Sequence, residues 1–186
     1  MPPADLMGHA RAGDAFVRTA GQADVDIIGA IHHRSWTRAY RDVLGATLAE
    51  LTPAGLARTW SAAVTDPPTP GHVVLVACAA SMVVGFAAVD PAGEVVALHV
   101  DPTQQRRGHG SRLLNAAAAR LREAGAPVLG VWCPLADEPR RSFLASAGLA
   151  PDGAQRQFEV PGAEPLHEVR LVAALAEDPG AEPAAE

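Results

Sequence analysis

A chain of 186 residues with a formal net charge of -6 is long enough for one domain with a sizeable core and short for two. Its carboxylate excess argues against nucleic acid as a partner, because binders of phosphate backbones carry a basic field; a cationic amine suits it better. Apolar residues make up 48% of the chain, yet no run approaches the roughly 20 uninterrupted apolar residues of a membrane helix, so no membrane partner is expected.

The start, Met1-Pro2-Pro3-Ala4-Asp5, lacks the basic and apolar regions of a secretory leader, and the reading is a cytoplasmic protein. Residues 1–14 and 176–186 hold too little apolar surface to order themselves and read as tails, leaving 15–175 as the folded domain. A short strand is expected around 16–19. A helix follows from Asp24, a residue type suited to a helix N-cap; Ile27, Ile31 and Ser35 share one stripe, with Ile28, Trp36, Ala39 and Tyr40 close to it. Thr47-Leu48-Ala49-Glu50 has the pattern of a capping box for a second helix, and Thr52-Pro53 offers another start. The run 66–71, with three prolines and a glycine, ends it.

Three strands are predicted over 72–79, 82–89 and 94–100, a meander with tight turns. Cys78 and Cys133 fall within strands and have neither the number nor the spacing of a disulfide framework or zinc site; they are expected to be reduced core residues. A loop over 101–108 opens into a helix of about 14 residues, in which Leu113, Ala117 and Leu121 form one row. Gly125 and Pro127 close it. Then come a buried strand over 128–133, a short helix over 138–147 and strands over 155–160 and 167–173. The strand-helix-strand passage in the middle implies one parallel pairing with a right-handed crossover in an otherwise antiparallel sheet.

The segment from Val95 to Leu114 carries the chemistry. A buried strand runs into an Asp101-Pro102 turn and a glycine-containing loop that opens directly into a helix. Such a loop aims unpaired N–H groups at the positive end of a helix dipole, where an anion belongs. Gly108 and Gly110 allow close approach of a diphosphate, and Arg106, Arg107 and Arg112 supply cationic donors, with Ser111 adding a hydroxyl. The loop lacks the Gly-Lys-Ser/Thr ending of a nucleoside triphosphatase and the glycine spacing of a dinucleotide fold.

Gln105-Arg106-Arg107-Gly108-His109-Gly110 resembles the Q/R-x-x-G-x-G/A signature of the GNAT N-acetyltransferase family, and the likeness extends from about Phe16 to Ala174. The resemblance implies an α+β, three-layer fold: a mixed, mostly antiparallel sheet with two splayed parallel strands, flanked by helices. It also implies acetyl-CoA as cosubstrate. Main-chain groups of Leu98, His99 and Val100 would receive the pantetheine arm, and Arg106, Arg107, Gly108, His109, Gly110 and Ser111 would hold the pyrophosphate. The thioester would lie between strands 94–100 and 128–133. Direct attack by an amine then needs a proton acceptor, for which Glu94 and His99 are the candidates, and an N–H from Val100 or His99 for the oxyanion.

One departure stands out. Many members carry a tyrosine in the late helix that protonates the leaving thiolate; here the position is Leu144, and Asp137-Glu138-Pro139 stands where an asparagine is usual. Water or Ser142 could take over, or the chain could bind acyl-CoA without turnover. A purely structural domain with an idle loop is a third reading. The acceptor, a small molecule, a peptide N-terminus or a lysine, is not identified by these residues, and a homodimer is left open.

Overall fold

The computed structural model describes residues 15–159 and 164–175; the two expected tails and residue 160 of the predicted strand 155–160 lie outside them. Strand β1 (Ala15–Thr19) leads through a short 3-10 turn into helix α1 (Val25–Glu50), followed by α2 (Pro53–Thr65). Strands β2 (Val73–Ala79), β3 (Met82–Asp90) and β4 (Glu94–Val100) come next. Helix α3 (His109–Glu123), β5 (Val128–Pro134), α4 (Glu138–Ser146), β6 (Ala150–Phe158) and β7 (Leu166–Ala174) complete the order, which is the predicted one.

The strands form one sheet in the order β1-β2-β3-β4-β5-β7-β6. All pairings are antiparallel except β4 with β5. Helix α1 presses Ile28 and Ile31, both fully buried, onto Val74, Val76, Phe86 and Ala88 on one face. Leu113, Ala117 and Leu121 of α3 and Leu144 of α4 pack on the other. This is the expected three-layer α+β fold. Both cysteines are buried and unpaired, as expected of core residues. No described helix is long and apolar enough to cross a membrane.

Local details depart from the sequence reading. Asp24 does not cap α1 with its side chain; its carboxylate instead takes a bidentate bond from Arg18 at 2.6 and 2.8 Å and the Gly21 N–H at 2.8 Å, tying β1 to the turn. Residues 47–50 end α1 beyond a break at Gly45 (φ 45°, ψ -123°), so the second helix starts at the other candidate, with Thr52 Oγ1 accepting from Gly55 N at 3.0 Å. Ala39 is exposed and lies off the buried stripe.

The feature that positions the site lies in β4. Ala88 pairs with Ala97 and Val89 with Val95, so Val96 is an extra residue, 48% exposed, in a β-bulge. A bulge bends the strand that carries it. The parallel contact with β5 is accordingly confined to the start of β4, where Glu94 faces Gly130 and Gly130 N donates to Gly93 O at 2.7 Å. Beyond that point β4 and β5 diverge, which is the expected splay.

Candidate active site

Asp101 N donates to Val84 O at 2.9 Å. In an antiparallel ladder hydrogen-bonded pairs alternate with non-bonded ones, so the His99 and Phe86 pair is also bonded, and Leu98 and Val100 turn their N–H and C=O groups toward the gap beside β5. The side-chain contacts agree. Leu98 O accepts from Arg140 Nη1 at 3.3 Å, and Val100 O accepts from Ser35 Oγ and Gln105 Nε2, each at 3.3 Å. The expectation for His99 is corrected here: its main chain belongs to the ladder with β3, and only its side chain can serve the site.

The loop after β4 is held by the buried Asp101. One carboxylate oxygen accepts Thr103 N (2.9 Å) and Oγ1 (2.7 Å), and the other accepts Arg34 Nε (2.9 Å) and Nη2 (2.5 Å). Burial pushes this carboxyl up, but the bonds from Thr103 and Arg34 outweigh it and hold it below its ordinary range. Gly108 then adopts the left-handed conformation, φ 80°, as the N-cap of α3, where a side chain would be strained. Gly110 has another reason to lack a side chain than close approach of an anion: a Cβ there would lie 3.3 Å from the Phe143 ring.

Arg106, Arg107, Ser111 and Arg112 are exposed around the first turn of α3, whose N–H groups have no intrahelical partner. His109 is buried, and burial lowers its pKa, with Arg112 and Arg107 adding to the effect.

A small cleft of about 90 Å3, partly open to solvent, lies where β4 and β5 diverge on the α1 side. It brings together Glu94 and His99, the two predicted proton acceptors, with Trp36 and Tyr40 of α1, Trp132 of β5, Arg140 of α4, Arg156 of β6 and Glu168 of β7. Glu168 is paired with Arg156 at 2.6 Å, and that guanidinium stacks 4.3 Å from the Trp132 ring. Glu94 forms no ion pair among the described residues.

His99 stacks on His32 with ring centroids 4.7 Å apart, and Trp60 Nε1 donates to His32 Nδ1 at 3.0 Å. Burial lowers His32 to about 4, with His33 adding to the effect. Burial, then His32 and Arg140, hold His99 well below the usual imidazole range. Both rings are neutral at pH 7. Burial also raises Tyr40 above the usual phenol range, and its hydroxyl donates to Asp137 Oδ2 at 3.2 Å across the mouth of the splay.

At the position of the missing acid, Leu144 is fully buried in the core. Ser142 is exposed, its hydroxyl bonded to Glu138 at 3.1 Å on the solvent side of α4, which removes it as a thiolate donor. Sequence reasoning missed Arg140, Trp132, Arg156 and Glu168. Arg140 was legible as the residue one turn before Leu144; Arg156 and Glu168 meet only through the β6-β7 register.

These features define the class: a mixed α+β sheet whose two parallel strands part, with a glycine-containing loop at the end of the strand lining the gap that opens into a helix. The acetyltransferase (GNAT) family model matches residues 28–149, and the chain belongs to this family. A GCN5-related N-acetyltransferase of Rhodopseudomonas palustris matches with a TM-score of 0.66 at 21% identity, covering 90% of this chain and 100% of that one. The Salmonella typhimurium protein yncA, solved with its cofactor acetyl-CoA, has a TM-score of 0.66 at 18% identity over 91% and 99% of the two chains. The paiA N-acetyltransferase of Thermoplasma acidophilum, in complex with coenzyme A, reaches 0.67 at 14% identity over 87% and 99%. At these identities the likeness is one of fold. Among curated proteins no match is found.

Proposed function

We propose that the protein transfers the acetyl group of acetyl-CoA to a primary amine held in the cleft. The observation that carries this reading is the pair of main-chain groups at Leu98 and Val100 turned into the gap, directly before the loop Arg106–Ser111. They can hydrogen-bond an extended arm as a sheet edge does, while the α3 N-terminus and the exposed arginines meet its pyrophosphate. The two yncA and paiA structures, with acetyl-CoA and coenzyme A bound, support the same ligand.

In the transfer, the amine nitrogen attacks the thioester carbon, the C–N bond forms, and the C–S pair leaves on sulfur. Val100 N–H, free of the β3 ladder, is the oxyanion donor in this scheme. Of the two carboxylates in the cleft, Glu94 lacks an ionic partner among the described residues and takes the amine proton directly or through water. His99, held neutral by burial, is a weaker proton acceptor and lines the acceptor's path. The buried Leu144 favours the second reading, a module of this fold that binds acyl-CoA without turnover.

Acetyl-CoA should raise the melting temperature by mass action. Ser111→Glu should abolish that rise without weakening the protein, since an acidic residue in the first turn suits a helix but repels a diphosphate. No shift of the wild type at millimolar ligand removes the cosubstrate, and an unchanged shift in Ser111→Glu removes the loop from its role. Thiol release from acetyl-CoA over a panel of amines separates transfer from binding alone.

A further inference from the structure

Arg140 and Leu144 are one turn apart on the same face of α4. Leu144 is sealed in the core, whereas Arg140 reaches the divergence of β4 and β5, where Nη1 donates to Leu98 O at 3.3 Å. Its Nε is buried with no hydrogen-bond partner, and no carboxylate pairs with it among the described residues. Asp137 takes the Arg140 main-chain N–H at 3.1 Å and the Tyr40 hydroxyl, and Glu168 is held by Arg156. A half-buried guanidinium with an unsatisfied donor calls for an anion.

Resting on the acetyl-transfer reading above, we propose that Arg140 is a catalytic residue that stabilises the sulfur of coenzyme A as a thiolate, in place of the proton donor absent at position 144. The thioester carbon gains the amine nitrogen and loses sulfur; the electron pair stays on sulfur, and the amine proton goes to Glu94 or water. Arg140 keeps its own protons, because a guanidinium is not an acid at working pH, and solvent protonates the thiolate later. Leu98 O is an acceptor that an arm amide would use, so arrival of the arm displaces Nη1 from the carbonyl and leaves the guanidinium beside the sulfur. Among the described residues none of the groups facing Arg140 forms an ion pair with it. His99 is neutral, burial pushes the Cys133 thiol up to about 11, Tyr40 stays protonated, Glu168 is held by Arg156, and the Asp137 carboxylate takes the Tyr40 hydroxyl and the Arg140 main-chain N–H, not the guanidinium.

The test needs no acceptor. The thiol of enzyme-bound coenzyme A is titrated by the ultraviolet absorbance of its thiolate, with saturation checked by calorimetry and the ligand-free protein subtracted. In the wild type it should titrate about one pH unit or more below free coenzyme A. It should return close to the free value in Arg140→Met, or in Arg140→Gln where methionine is not tolerated, and lie between in Arg140→Lys. Identical titrations in the saturated wild type and neutral variant overturn the role of Arg140 and leave cosubstrate binding intact. Failure of the wild type to bind coenzyme A overturns both. With a working acceptor, the neutral variant should lower kcat at unchanged acceptor KM; a rise in acceptor KM alone also overturns the proposal, since it makes Arg140 a contact to the amine substrate.

Discussion

Glu94 and His99 reach the same cleft under different conditions. The imidazole stacks on His32, with centroids 4.7 Å apart, meets the Phe86 ring at a tilt 5.3 Å away, and is kept neutral by burial. The Glu94 carboxylate stands at the strand start, half-buried and without an ionic partner among the described residues. A general base matters most where little of the amine is already deprotonated, and it contributes on the order of 100-fold or more. Glu94→Gln should therefore lower kcat/KM by about that factor at neutral pH and progressively less as pH rises, converging on the wild type above the amine's pKa. A mutant-to-wild-type ratio that stays flat across the pH range removes Glu94 from the role. Glu94 was a candidate from its place at the start of the strand leading to the loop, and the structure sets it in the cleft. The condition of His99 was not, because its neighbours come from α1 and β3.

At the scale of elements, the early helices owe their placement to one small residue. A Cβ on Gly29 of α1 would lie 2.6 Å from both Ala57 N and Pro53 O of α2, closer than any packed side chain, so the two helices cross with backbone nearly touching. Gly29→Ala gains about 1 kcal/mol in helix propensity but must push α2 away, and overpacking of this kind costs roughly 1–3 kcal/mol. The clash is with backbone, which cannot swing aside, so the second effect wins. Urea unfolding should show a net loss of up to about 2 kcal/mol, and a stabilised variant would mean that the crossing is looser than described. The bulge at Val96 acts on the same scale. The predicted strand 94–100 matches β4, but no residue type in Val95-Val96-Ala97 announces the bulge, because it is defined by the partner residues Ala88 and Val89.

For the whole molecule, the buried histidines make stability depend on pH. His32 stays neutral in the folded protein down to about 4, whereas its ordinary value is 6.5. Between those values the unfolded chain binds the extra proton, so the stabilisation is complete above about pH 6.5 and is lost as pH falls toward 4. For His32 alone the loss amounts to roughly 3 kcal/mol, and His99 acts in the same direction. Urea midpoints should drop between about pH 7.5 and about pH 5. His32→Gln, which can still accept from Trp60, should flatten that dependence; equal slopes for the two proteins would mean that His32 is protonated without cost in the fold.

The order of elements, the three-layer class and the passage from strand through the glycine-containing loop 106–111 into a helix were determined by the sequence by itself. They rest on apolar period, caps and glycine positions, all of which act within a few residues of one another. The tertiary structure alone decided which carbonyls face the gap, since that depends on the ladder between β3 and β4. It also decided that Arg140 enters the gap while Leu144 is buried, that Arg156 meets Glu168 under Trp132, and that a side chain at Gly110 would press on the Phe143 ring. Each of these is a contact between separate elements, set by how two surfaces pack, and a local pattern holds no record of the surface it will meet.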